Sequence, residues 1–272
     1  MAKLFSNIVV LLIALVPALL GVSAQPSIIL VPGAFHEPIT FSKLQIELKN
    51  QSLANVEVVG LPSVGHLKTR ADDIAAVRTA MDKHLSSGND VLLVGHSYGA
   101  TVIGEAVFDK QWATSPTPNS GRILGLVFLA GYIPLITDVT HPETKPDVRS
   151  VAPAFFRFAL PKVFSDGDPA NPPEKVFYND LPDTEAKWWT EQLSFSSFEA
   201  LNATAKYVPY TGDFRCTYVV CLQDLSVPEA LSTTYIEQEG AQFVVKEIDA
   251  GHVPFLSKPK QVADILLEAL VA

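Results

Sequence analysis

The chain has 272 residues, 48% of them hydrophobic and 18% charged, with a formal net charge of −9. That composition excludes a disordered chain, which would be rich in charge and poor in apolar residues. The acidic balance and the lack of any Lys/Arg cluster speak against nucleic acid as a partner.

The first 24 positions hold 18 hydrophobic residues and one charge, Lys3. Residues 8–20 form an uncharged run of 13, followed by small residues in Gly21-Val22-Ser23-Ala24. This is the pattern of a secretory signal peptide, cleaved after Ala24. A membrane anchor would need about 20 apolar residues, and this run is shorter and holds Pro17. The expectation is a secreted protein with no membrane anchor after cleavage. Two glycosylation sequons, Asn50-Gln51-Ser52 and Asn202-Ala203-Thr204, suit that route and predict a glycoprotein.

A first strand is predicted at 27–31 (SIILV). A helix follows near 40–50, with Phe41, Leu44 and Leu48 on one face. NVEVVG at 55–60 reads as a second strand. Residues 69–86 form an amphipathic helix, with Ile74, Val77, Met81 and Leu85 spaced by three and four. His84 on this helix reads as a surface residue. DVLLVG at 90–95 is an apolar strand bounded by turn residues, and 99–108 the next helix. RILGLVFLA at 122–130 is another apolar strand. Further on come strand 216–221, helix 228–237, strand 242–249 and a last helix near 259–271. Continuous Val/Ile/Leu strands alternating with amphipathic helices predict an α/β fold, a mostly parallel sheet covered on both faces.

Residues 132–214 break the alternation. They hold 10 of the 20 prolines, 14 of the 25 aromatics and only two of the 15 glycines. A structureless loop of that length is improbable in a compact domain. We read it as an inserted, mainly helical cap whose clearest helix is 184–193. The organisation is then a leader (1–24), a body (25–131 and 215–272) and a cap (132–214). Cys216 and Cys221 fall in one strand, about 16 Å apart on opposite faces. A disulfide needs Cα atoms within about 7 Å, so no bond between them is expected.

Gly95-His96-Ser97-Tyr98-Gly99 is a G-x-S-x-G pentapeptide. It directly follows a strand and opens a helix, as a nucleophile elbow must. A serine hydroxyl needs a base. His252 follows the last long strand and precedes the final helix, which suits that role. His96 lies inside the elbow and reads as structural, while His66 and His141 lie in loops. The acid that orients the base should lie between Ser97 and His252, after a strand. Asp224 in CLQDLSVP fits, with Asp249 and then Asp138 as competitors. The developing oxyanion needs donors, and the backbone N–H groups of Tyr98 and Ala34 are placed to supply them. Phe35, His36, Phe155, Phe156, Trp188 and Val253 are the candidate substrate contacts. For His36 a plain loop role stays open, as does pure packing for the cap aromatics.

These residues together resemble the α/β-hydrolase superfamily. Within it the chain looks like the branch of plant methylesterases, hydroxynitrile lyases and small fungal and bacterial esterases. VPGAFH is similar to the oxyanion loop, GHSYGA to the elbow, CLQDLSVP to the acid segment and DAGHVPFLSKP to the histidine segment. FYNDLPDTEAKWW is similar to cap sequence of fungal and bacterial members. Two departures stand out. Many members read His-Gly where this chain has Pro32-Gly33. The hydroxynitrile lyases of this type carry a Lys directly after the catalytic His, where this chain has Val253. The resemblance implies hydrolysis over cyanide release. The expectation is a Ser-His-Asp esterase acting on a small or medium apolar or aromatic ester, with no metal and no organic cofactor. A non-turnover binding protein on the same fold and a lyase or lactonase remain the competing readings.

Overall fold

The computed structural model describes residues 26–271 apart from 52, 54, 111, 112 and 114–119. The leader and Ser52 of the first sequon therefore lie outside the described residues. In chain order the body begins with β1 (Ser27–Val31), a 3-10 turn (Pro38–Phe41), α1 (Ser42–Asn50) and β2 (Val56–Val58). It continues with α2 (Arg70–Ser86), β3 (Val91–His96), α3 (Tyr98–Ala106) and β4 (Ile123–Leu129).

The segment that follows is built from short pieces. They are α4 (Ile136–Thr140), a 3-10 turn (Pro142–Thr144), α5 (Val148–Val151), β5 (Arg157–Ala159) and β6 (Lys162–Phe164). Then come α6 (Pro173–Val176), α7 (Asp183–Glu191), β7 (Ser196–Ser197) and α8 (Phe198–Asn202). The body resumes with β8 (Cys216–Cys221), α9 (Glu229–Ile236), β9 (Val244–Ile248), α10 (Pro254–Ser257) and α11 (Pro259–Val271).

Six strands form one sheet in the order β2-β1-β3-β4-β8-β9. Every pairing in it is parallel. Every residue of β1, β3 and β8 is buried, which is why these strands read as unbroken apolar runs and not as alternating ones. The outer strand β9 is largely exposed until Ile248. The chain steps outward from β1 to β2 and then back across to β3. Right-handed crossovers therefore put α1 and α2 on opposite faces. α2 packs on α3, and α1 on α11. That reversal makes the carboxyl ends of β1 and β3 a topological switch point, where open α/β sheets bind ligands.

α2 starts with a capping box. Thr69 accepts a hydrogen bond from Asp72 N, and the Asp72 carboxylate accepts one from Thr69 N (2.9 Å). His84 near its end is not a surface residue as expected. Its ring nitrogens lie 2.9 Å from Ser27 Oγ and 2.8 Å from Glu57 Oε2, because β1 and β2 pass beneath that helix face. Cys216 and Cys221 are buried free thiols of β8. Burial pushes both thiols up, which leaves them unreactive.

The segment between β4 and β8 contains a feature the sequence did not announce. β5, β6 and β7 form a three-stranded antiparallel sheet. Among the described residues no helix is long and apolar enough to cross a membrane.

Candidate active site

Ser97 sits between β3 and α3 with φ 50° and ψ −124°. A positive φ at a non-glycine residue is strained by roughly 1–3 kcal/mol and persists only where its surroundings hold it. Here Ser97 N donates to Leu129 O (3.1 Å), while Ser97 O accepts from Ala100 N and Tyr132 N (3.0 Å each). Two glycines let the chain close around the turn. A Cβ on Gly99 would run into the carbonyl oxygens of Val31 and Pro32, and one on Gly33 would lie 2.7 Å from Ser97 Cβ. The loop after β1 and the elbow after β3 are thus in direct backbone contact.

Below the elbow the Tyr98 hydroxyl donates to Asp73 Oδ2 (3.0 Å), which also accepts from Ser63 Oγ (2.7 Å). Burial pushes the Asp73 carboxyl up against the downward pull of these hydrogen bonds. This network anchors the Tyr98 side chain at the start of α3.

His252 and Asp224 meet as expected. His252 Nδ1 lies 2.8 Å from Asp224 Oδ2, both side chains being buried. Asp224 Oδ2 is placed to accept a hydrogen bond from His252 Nδ1. The other Asp224 oxygen accepts from Ser226 N (2.7 Å) and Val227 N (2.8 Å). The competitors are elsewhere. Asp249 is exposed and accepts from Gln223 Nε2, and Asp138 caps α4 through Leu135 N.

Two further histidines surround His252. His96 Nε2 donates to His252 O (2.8 Å), so His96 holds the backbone of His252. Burial, then the neighbouring His252 and His36, hold its pKa well below the usual range. His36 Nδ1 donates to Ala34 O (2.8 Å), and its Nε2 accepts from the Tyr178 hydroxyl (3.1 Å). Burial lowers His36 to about 4. The segment between β4 and β8 also holds the loop of His252, since Gly251 N donates to Asp180 Oδ2 (2.8 Å).

Ser97 and His252 open into one cavity of about 410 Å³. Among the described residues, no hydrogen bond to the protein occupies the backbone N–H of Ala34 or Tyr98, and both residues line this cavity. Phe35, Phe155 and Phe156 line it too, in edge-to-face contact at 5.1–5.3 Å between ring centroids.

Three expected substrate contacts do not line this cavity. His36 lies behind it, held between Ala34 and Tyr178. Trp188 is 45% exposed, because the turn of α7 puts Trp189 inward and Trp188 out. Val253 is buried at the start of α10. Lining residues that the sequence reading missed include Tyr132, Phe177, Leu201 and Leu231. The apolar spacing of Leu225, Val227 and Leu231 after Asp224 is the signal for Leu231, and the aromatic enrichment of 132–214 the signal for Tyr132 and Phe177. Among the described residues no group of His, Cys, Asp and Glu is placed to hold a metal ion.

Comparison with known proteins agrees with this architecture. The model of the alpha/beta hydrolase family matches residues 28–265. An alpha/beta hydrolase of Aspergillus novofumigatus, nvfD, is 28% identical over 90% of this chain and 96% of its own length. Methylesterase 7 of Arabidopsis thaliana is 23% identical over 90% of this chain and 96% of its own. A crystal structure of polyneuridine aldehyde esterase superposes with a TM-score of 0.68 at 23% identity, covering 90% of this chain and 98% of that one. The chain belongs to the alpha/beta hydrolase family.

Proposed function

We propose that this chain is a secreted serine hydrolase that cleaves carboxylic esters of small or medium apolar or aromatic substrates. The observation that carries the reading is the Asp224–His252 hydrogen bond beside a strained Ser97 in one apolar cavity. The names of its relatives, a methylesterase and a polyneuridine aldehyde esterase among them, support an ester as substrate. The secretory part rests on the leader at 1–24.

In this reading Ser97 Oγ attacks the ester carbonyl carbon as His252 Nε2 takes its proton. Asp224 holds the ring in the tautomer that leaves Nε2 free and stabilises the imidazolium. The carbonyl oxygen becomes an oxyanion and receives hydrogen bonds from the N–H groups of Ala34 and Tyr98. His252 then gives its proton to the departing alcohol, leaving an acyl-enzyme on Ser97. Water attacks the acyl carbon with the same base, and Ser97 is regenerated. Phe35, Phe155 and Phe156 offer ring edges to an aromatic or alkyl group without asking it for a hydrogen bond.

The test is turnover of p-nitrophenyl acetate by wild type and by Ser97→Ala. The expected loss in kcat is about 10⁵-fold. Equal rates would overturn the mechanism.

A further inference from the structure

The loop after β1 holds a strained residue of its own. His36 N donates to Gly33 O (3.4 Å), which closes a turn over Gly33, Ala34, Phe35 and His36. Phe35 has φ 69°, and Ala34 is not among the residues of positive φ. A positive φ at the third turn position alone is the sign of a type II turn, which asks for glycine or asparagine there. A bulky side chain at such a φ is an outlier. Rotating the peptide between Ala34 and Phe35 would give a type I turn and return Phe35 to negative φ. The strained form therefore persists only because its surroundings hold it.

Both edges of that peptide are held. Its oxygen, Ala34 O, accepts from His36 Nδ1 (2.8 Å), and its nitrogen, Phe35 N, donates to Ser196 Oγ (2.9 Å). A trans peptide is planar with its oxygen and hydrogen on opposite edges, so a rotation would break both bonds together. Phe35, His36, Tyr178 and Ser196 are all buried, at 3% exposure or less, so water is not at hand to replace a lost partner and the orphaned groups would cost stability. The His36 ring is fixed in turn, since Nε2 accepts from the Tyr178 hydroxyl (3.1 Å). One residue on, Phe35 O accepts from Ser194 N (2.9 Å). Tyr178, Ser194 and Ser196 all belong to the segment between β4 and β8. The ladder of β1 sets where the loop lies, and these contacts set which way its peptide planes face.

The preceding peptide of the same turn carries the Ala34 N–H, the proposed oxyanion donor. Its oxygen, Gly33 O, is the one that His36 N engages, and Gly33 lies against Ser97. We propose that His36 and Ser196 are positioning residues for the reaction. They hold the turn in its strained form and so keep the Ala34 N–H aimed at the oxyanion, although neither touches the substrate. Donors aimed in advance at the place where charge develops spare the reaction the cost of turning them. This rests on the esterase reading above.

The test pairs each residue with a variant that keeps its hydrogen bond. Ser196→Ala removes the acceptor, and Ser196→Thr keeps it. His36→Leu removes the donor, and His36→Asn keeps one near the place of Nδ1. On p-nitrophenyl acetate, Ser196→Ala and His36→Leu should lower kcat about thirtyfold, short of the roughly 100-fold or more that loss of a whole oxyanion donor costs. Ser196→Thr and His36→Asn should stay within about threefold of wild type. Hexyl trifluoromethyl ketone gives the readout that packing alone would not move. Ser97 Oγ adds to its carbonyl carbon, the Ser97 proton passes to His252, and the carbonyl oxygen becomes an oxyanion held by the donors. Its calorimetric affinity should fall about thirtyfold in Ser196→Ala and His36→Leu. Hexyl methyl ketone, whose carbonyl is not activated for addition, should bind within about threefold of wild type. Equal losses for the two ketones, or no loss for either, overturn the proposal and leave Ser97-dependent hydrolysis standing. If His36→Leu does not fold, Ser196→Ala, which removes a single oxygen, decides. A wild type that captures the trifluoromethyl ketone with this dependence on Ser196 but turns over no ester keeps the positioning role and removes the esterase.

Discussion

The body and the inserted segment are held together in different ways. In the body, β1, β3 and β8 are buried along their whole length and locked by parallel backbone ladders. The segment from α4 to α8 has elements of two to nine residues and combines one short antiparallel ladder and a few backbone bonds to the body, such as Ser194 N to Phe35 O (2.9 Å), with many side-chain contacts. It uses aromatic edges such as Phe155–Phe177 (5.4 Å) and ties to the body such as Asp180–Gly251 and Tyr178–His36. Backbone ladders place the proposed nucleophile and its donors, while side-chain contacts shape the room around them. The first kind of order tolerates little change in volume.

The sharpest way to break this contrast is to truncate one buried residue in each region. Leu93 in β3 is fully buried, and Leu93→Ala should cost about 2–5 kcal/mol of stability, read as a lower Tm. Phe156 packs on the core only in part. Phe156→Ala should cost about 1–2 kcal/mol and raise KM for aromatic esters several-fold. Equal losses of Tm would erase the distinction.

Next in size is a pH effect at the seam. His36 joins the loop after β1 to Tyr178 and has its pKa lowered by burial to about 4, against 6.5 when free. The fold favours the neutral ring, so this contribution is fully present above pH 6.5. As pH falls from 6.5 to about 4, the unfolded chain takes up a proton that the folded one refuses. Stability is lost over that window by up to about 3 kcal/mol. His36→Gln should flatten the fall of Tm between pH 6.5 and 4. A wild-type Tm that does not change over that range would contradict the buried neutral ring.

The smallest effect belongs to the ion pair between Lys43 of α1 and Glu185 of α7, at 2.5 Å. Both side chains are partly solvated, at 40% and 29% exposure, so solvent screens the pair. Lys43→Met should change stability by less than about 1 kcal/mol. A larger drop in Tm would mean that this single tie carries the segment.

The same contrast explains what the amino-acid order made legible. Strands buried on both faces favour apolar side chains at most positions, so β1, β3, β4 and β8 announced themselves as runs. The proposed triad was legible because each member sits at a strand end in a fixed chain order. The small sheet was not, because β7 has two residues and β5 and β6 three each, too few to show a period of two. Trp188 and Trp189 are adjacent in sequence, and only the rotation of α7 decides which one faces inward. The partners of His84 come from residues 27 and 57, a convergence that no local pattern on α2 encodes. Tyr132, Phe177 and Leu231 meet at the cavity from three separate elements for the same reason.

The pairing of Val31 with Gly95 across β1 and β3 has a further consequence. It works as a gauge. One residue beyond Val31 and two beyond Gly95 lie Pro32 and Ser97, so the offset between donor loop and hydroxyl is set in steps of the strand repeat. A slip of one residue would shift it by about 3.3 Å and turn every side chain to the wrong face. Because both strands are fully buried, such a slip would also drive the wrong volumes into the core. The spacing on which the chemistry depends is therefore proofread by the packing of residues that never touch a substrate.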